Sequence, residues 1–267
     1  MTNQKLQILF LGCGKMGSAI LENFLDKNIN PQNITIVDPF IKNKIKDINY
    51  FSDINKIPQN YQVDLVIFAF KPQSATEILS NFIKNIIFTQ NTIFISILAG
   101  KKISFFTDYL GQNIKIIRIM PNLPMAIGEG ISAYVASKNL SRCEIDSTMN
   151  LWSKNLQLEE GQKIDIFTAI AGSGPAYLFL FAKELINIAK KNSFDEESSR
   201  KMVTQMLYGS AKMLLDDNLN ISELINSVTS KGGTTEAGLK EFANGDFSSL
   251  IEKVINAAKD RSEELGK

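Results

Sequence analysis

Residues 6–11 (LQILFL) form an almost unbroken apolar run that leads straight into a glycine-rich turn, GCGKMG, at residues 12–17. A strand apolar on both faces belongs inside a parallel sheet covered on both sides. Past the turn the apolar spacing becomes helical, from residue 16 to about residue 27. The chain therefore opens as a βα unit.

The alternation continues. Residues 34–37 (ITIV), 64–70 (DLVIFAF), 92–98 (TIFISIL) and 114–120 (IKIIRIM) read as further buried strands, and 131–136 as the last one. Helices are expected over 74–87, 103–110 and 141–154. Repeated βα units predict an α/β fold with a Rossmann-type doubly wound parallel sheet. From residue 164 onward only helices are expected: 175–191, 195–217, 221–228, 235–244 and 248–265. The reading is thus a sheet domain over 1–160 and an all-helical C-terminal domain over 161–267. Leu178, Phe179, Leu180, Phe181 and Ala182 are consecutive, so their helix is apolar nearly all round and must be buried. Five helices in about 100 residues bury it among themselves or against a second subunit.

The turn after the first strand matches GxGxxG through Gly12, Cys13, Gly14, Lys15, Met16 and Gly17. The first glycine permits the tight turn, the second lets a pyrophosphate approach the backbone, and the third lets helix and strand pack closely. The helix N-terminus then presents free N–H groups to phosphate. Asp38 closes the second strand, where an acidic residue accepts from an adenosine ribose hydroxyl and repels a 2′-phosphate. That favours NADH, although Lys42 and Lys44 nearby soften the preference; the alternative is that Asp38 simply starts a turn with Pro39. Other cofactor contacts are expected at strand ends beside the crevice where strand order reverses. Those are Ala69, Phe70, Lys71 and Pro72, then Ala99 and Gly100, then Pro121 and Asn122. Lys71 either reaches the ribose and phosphates or is a solvated loop lysine.

Composition narrows the chemistry. The 267 residues include no histidine and only two cysteines, Cys13 and Cys143, which form no CxxC. Histidine-based nucleophilic, acid–base and zinc schemes are excluded, and no metal site is expected. A net charge of +1 with scattered lysines gives no basic stripe for nucleic acid. The short polar start carries no secretory pattern, and no apolar run reaches the ~18 residues of a membrane span before Gly, Pro or charge breaks it. A reducing cytoplasm is the expected compartment.

Two helical-half segments carry glycine where helix would be cheaper. In Gly172-Ser173-Gly174-Pro175-Ala176-Tyr177, Ser173 is placed to N-cap the long helix, with Pro175 in its first turn. Direct substrate contact is the other reading. In the segment from Thr229 through Ser230, Lys231, Gly232, Gly233, Thr234 and Thr235 to Gly238, a glycine pair precedes hydroxyls at a helix start. Free N–H groups there suit a carboxylate; a flexible loop with Thr234 or Thr235 as N-cap is the alternative.

With GCGKMG at 12–17, FKP at 70–72, AG at 99–100, RIMPNLP at 118–124, GSGPAY at 172–177 and SKGGTTEAGL at 230–239 in this order, the chain resembles pyrroline-5-carboxylate reductases over nearly its whole length. The resemblance implies reduction of 1-pyrroline-5-carboxylate to L-proline, the last step of proline biosynthesis, with NADPH or NADH. It implies a helical dimerisation domain and a homodimer, with decamers among larger assemblies. The substrate carboxylate would lie on Ser230, Gly232, Gly233, Thr234 and Thr235, and the Thr235 hydroxyl near the imine nitrogen. This chain departs from the pattern at Lys231, where proline is usual, and at Ala171, where serine is common. Asp38 is a third departure, since many relatives favour NADPH.

A β-hydroxyacid-type dehydrogenase shares the two-part plan. Its catalytic lysine would fall at Leu178, four residues after Gly174, whereas Lys183 and Asn187 keep the lysine–asparagine spacing in another register. A non-catalytic dinucleotide sensor would need no GGTT turn.

Overall fold

The structure is a computed structural model that describes residues 6–41, 44–58, 61–159, 161–216 and 220–266. It divides into two compact units, Met1–Ser173 with Ala258–Lys267, and Gly174–Ala257.

The first unit is built on an eight-stranded sheet. Its strands are β1 Ile8–Leu11, β2 Ile34–Val37, β3 Asn49–Phe51, β4 Leu65–Phe68, β5 Ile93–Ser96, β6 Lys115–Met120, β7 Ile131–Ala136 and β8 Lys154–Gln157, in the order β3-β2-β1-β4-β5-β6-β7-β8. All neighbours are parallel except β6 and β7. Strand order reverses between β1 and β4, which pair from Ile8 with Leu65 to Leu11 with Phe68.

The apolar runs are explained by two cores. Ile8 and Phe10 face one side of the sheet, against Ile20 and Phe24 of helix α1 Lys15–Asp26 and against Trp152. Leu9 and Leu11 face the other, with Leu79 and Phe82 of α2 Ala75–Asn85 and Phe106 of α3 Ile103–Leu110. Phe68 sits at the centre of the second core, stacked on Phe106 at 5.4 Å and on Phe94 at 5.8 Å. Helix α4 Arg142–Met149 starts with a capping box between Ser141 and Glu144.

Two strands escape the sequence reading. β3 has three residues, and β8 (KNLQ) is exposed at every position, so neither carries the apolar signal of a buried strand. β7 is therefore not the last strand, and the helix expected over 141–154 ends at Met149.

After α5 Gln162–Phe167 comes a π turn, Thr168–Gly172, and then α6 Gly174–Lys191. Ser173 has helical dihedrals, and its N–H donates to the Thr168 carbonyl at 2.8 Å. It is an interior residue of helical backbone, not the N-cap that its sequence context suggests. Pro175 has no N–H to offer the preceding turn. The carbonyl of Ala171, four residues back, instead accepts from the Asn122 amide at 3.1 Å. The π turn is where the helical backbone accommodates the proline. The run Lys163–Lys191 is consequently long and apolar enough to cross a membrane by length and composition. In sequence the glycines and proline make the same run read as broken.

The second unit holds all of α6, then α7 Glu196–Met213, α8 Ile221–Ser227 and α9 Thr234–Asn244, with the first part of α10 Phe247–Leu265. Its apolar side chains are largely uncovered. Phe179 is 57% exposed and Val228 65%, and in α6 only Ala189 is buried. The end of α10 belongs to the first unit, where the Ser262 hydroxyl donates to Asp165 at 2.7 Å.

Candidate active site

The glycine turn lies at the switch between β1 and β4. Gly12 donates its N–H to Val37 of β2 at 2.8 Å, and Ala69 donates to Leu11 of β1 at 2.8 Å. The three motif glycines differ in what their surroundings allow. Gly12 has φ +85°, and a Cβ there would meet the Ala69 carbonyl oxygen at 2.8 Å. A Cβ on Gly17 would press on the Gly12 carbonyl at 3.2 Å and the Ala69 methyl at 3.4 Å. Gly14 has an ordinary φ of −70°, and a Cβ on it would meet nothing within 4 Å. Neither backbone nor packing demands glycine at 14, so the open space beside it fits a phosphate approaching the chain. The first bond of α1 runs from Ser18 N–H to Gly14 carbonyl, which leaves the N–H groups of Lys15, Met16 and Gly17 ahead of it. These residues fit a dinucleotide pyrophosphate.

Asp38 reaches across this turn. Its carboxylate accepts from Cys13 N–H at 2.7 Å and from Phe40 N–H at 2.8 Å. The turn role with Pro39 is therefore met, and the same carboxylate lies beside the glycine loop. Burial pushes the Cys13 thiol up in pKa, outweighing its hydrogen bond with Ser18, so Cys13 stays a neutral part of the turn at neutral pH. Lys44 sits over the Tyr50 ring, 5.5 Å from its centroid, so its charge is already engaged. Lys42 lies outside the described residues. Phe40, 85% exposed after β2, offers an open aromatic face that sequence reasoning misses; an aromatic directly after an Asp-Pro strand end is the available signal.

The remaining strand ends divide. Phe70 packs on Phe68 at 5.9 Å, while Lys71 is exposed ahead of a 3-10 turn at Pro72–Ser74. Gly100 (φ +77°) is buried, and a Cβ there would collide with the backbone of Leu265 and Gly266. Its partner is thus the end of α10, and Ala99 packs beside Met120 and Ile164. Pro121 and Asn122 are buried too. The Asn122 oxygen accepts from Ile131 N–H at 2.9 Å while its amide nitrogen serves Ala171, so this side chain ties the sheet end together.

A cavity of about 260 Å³ opens beside the start of β6, where Phe94, Ile114 and Lys115 contribute to its lining. Lys115 pairs with Glu144 at 2.6 Å. Among the described residues no group of three or more metal-ligating side chains occurs.

The second candidate part lies within the helical unit. Gly232 has φ +73°, the left-handed region that favours glycine. Gly233 has φ −82°, but a Cβ on it would collide with the Ser230 hydroxyl. One glycine is needed for conformation and the other for space. Gly233, not a threonine, is the N-cap of α9 and supplies no capping side chain. The first helical bond, Ala237 N–H to Gly233 carbonyl at 3.2 Å, leaves the N–H groups of Thr234, Thr235 and Glu236 before it. Ser230, Thr234 and Thr235 are all exposed. The Glu236 carboxylate accepts from Gly232 N–H at 2.6 Å, a contact missed from sequence although glutamate at the third helical position is a capping signal.

A doubly wound sheet with a glycine-rich turn opening a helix at its switch point, followed by a helical region, is the plan of an NAD(P)-dependent oxidoreductase of the Rossmann type. Residues 7–100 match the family model "NADP oxidoreductase coenzyme F420-dependent", and residues 161–265 match "Pyrroline-5-carboxylate reductase dimerisation". The chain belongs to the pyrroline-5-carboxylate reductase family. It is 31% identical to the pyrroline-5-carboxylate reductase of Methanosarcina acetivorans, covering 100% of both chains, and 30% identical to that of Pseudomonas aeruginosa, covering 97% and 96%. It is also similar to the NADP-bound crystal structure of Plasmodium falciparum pyrroline carboxylate reductase, with TM-score 0.89 and 29% identity over 99% of both chains.

Proposed function

We propose that residues 1–160 bind the dinucleotide and residues 161–267 bind the cyclic imine and a second copy of the chain. The reaction is reduction of 1-pyrroline-5-carboxylate to L-proline with NAD(P)H. The observation that carries the site assignment is the position of Thr235, one residue inside a helix start whose first N–H groups have no capping side chain. On this reading the substrate carboxylate rests on the turn of Ser230, Gly232, Gly233 and Thr234, and the Thr235 hydroxyl is the group that meets the ring nitrogen.

Bound NAD(P)H supplies the hydride that adds to C5 of the imine. The protonated imine already carries its proton and is electrophilic, so no histidine or other strong acid is needed. The Thr235 oxygen accepts from the iminium N–H and orients the ring, and the backbone N–H groups balance the carboxylate charge. On the cofactor side Gly12, Gly14, Lys15, Met16 and Gly17 receive the pyrophosphate. Asp38 accepts from a ribose hydroxyl and favours NADH; the ratio of kcat/KM for the two cofactors tests this, and a strong NADPH preference would remove the role. Ala69 and Phe70 border the same turn, and Lys71 and Pro72 directly after them extend the contacts with the cofactor. Ala99, Gly100, Pro121 and Asn122, at the ends of neighbouring strands, complete the cofactor contacts.

The exposed helices of the second unit support a homo-oligomer built from dimers, of which a decamer is one form. On this reading the apolar face around Phe179 meets another subunit in the cytoplasm rather than lipid. Thr235→Ala should lower kcat/KM for the imine about 100-fold, the scale of a hydrogen bond made to a charged transition state. Circular dichroism and oligomer size should not change. Wild-type turnover in that variant would reject the assignment.

A further inference from the structure

We propose that Glu236 is a positioning residue for the turn that receives the substrate carboxylate; this rests on the substrate reading of residues 230–235 given above. A glycine pair has no side chain with which to fix its own conformation, and Gly232 has the freedom of either hand. Two bonds pin the turn. Gly233 N–H donates to Ser230 carbonyl at 2.9 Å, and Gly232 N–H donates to the Glu236 carboxylate at 2.6 Å.

The second bond ties the turn to the body of α9. In a capping box the carboxylate at the third helical position returns to the N-cap N–H. Here that N–H, on Gly233, is already donated to Ser230, and Glu236 reaches one residue further back. The grip matters more because Lys231 leaves the turn's entry without proline's fixed φ. Glu236 also leaves the right donors alone. A carboxylate competing for the cradle would accept from Thr234 or Thr235 N–H, where the helix dipole is strongest. The Glu236 carboxylate sits instead on the glycine ahead of the cap, and its bond orients the turn without filling the helix end.

Steady-state kinetics on the full chain with 1-pyrroline-5-carboxylate at saturating NADH or NADPH tests this. Glu236→Ala should raise the imine KM about fivefold, a charge-assisted hydrogen bond discounted for exposure, with kcat within about twofold. Glu236→Gln keeps an oxygen that accepts from Gly232 and should stay within about twofold of wild type. Glu236→Asp keeps the charge but loses reach and should behave like the alanine variant. A lower KM in Glu236→Ala would overturn the proposal in favour of a carboxylate that competes with substrate. An unchanged KM, or a glutamine variant as poor as alanine, would overturn it as well. Amide hydrogen exchange at Gly232, which should quicken about tenfold in Glu236→Ala, judges the grip without turnover. Unchanged exchange overturns the grip, whereas absence of imine turnover in the wild-type protein overturns only the substrate reading.

Discussion

Phe68 in the sheet unit and Phe179 in the helical unit are the same residue type in opposite circumstances. Phe68 is fully buried among Phe82, Phe94 and Phe106, whereas Phe179 lies on a helix whose neighbours leave it more than half uncovered. The sheet unit closes its apolar surface within one chain. The helical unit presents contiguous apolar positions, from Leu178 through Phe181, that a single chain leaves open. One half is written for its own core and the other for a partner.

This contrast is challenged most forcefully by truncating both phenylalanines. Phe68→Ala should cost about 3–5 kcal/mol of stability, read as a lower denaturation midpoint. Phe179→Ala should leave an isolated chain within about 1 kcal/mol but shift subunit association, read by sedimentation across a dilution series. If the two variants lowered stability equally with association unchanged, the contrast would fail. A finer version sits within the glycine motif. Gly14→Val should weaken dinucleotide binding about 100-fold with little change in thermal midpoint, because its space faces no protein atom. Gly12→Val should unsettle the fold itself, since both its φ and the Ala69 backbone forbid a side chain. Calorimetry of folding and of cofactor binding separates the two.

A weaker effect concerns pH. The Lys115 ammonium beside Glu144, with two hydrogen bonds from Ser141, holds the Glu144 carboxyl down at about 2. A lowered folded pKa gives stability that is present above the unfolded value of about 4.5 and lost as pH falls toward 2. The pair is partly exposed, so screening leaves about 1 kcal/mol. Glu144→Gln should flatten the fall in melting temperature between pH 5 and pH 2; an unchanged slope would dismiss the pair as a stabilising element of the sheet unit.

The buried strands are legible because a residue covered on both faces must be apolar at every position, as at Ile8–Leu11 and Leu65–Phe68. β8 stays hidden because an exposed edge strand is held by backbone bonds that leave no apolar mark. The helix through Ser173 is misread because glycine and proline signal a break, while the π turn and the Asn122 amide absorb one. Among the candidate site residues, the glycine motif and Asp38 stand out as a local pattern. The bonds of Asn122 and the partner of Gly100 are not, since both depend on segments distant in sequence. Glu236 is legible in principle from helix-start chemistry.

Because the last turns of α10 return to Gly100 and Ser262 bonds to Asp165, the helical unit is, in chain topology, an insertion clasped by two covalent connections to the sheet unit. A fragment ended at residue 160 would strip the cover from Gly100 and expose the floor beneath it. The chain is thus a poor candidate for dissection into autonomous modules, and a tail swap between relatives would reach the sheet unit as much as the helical one.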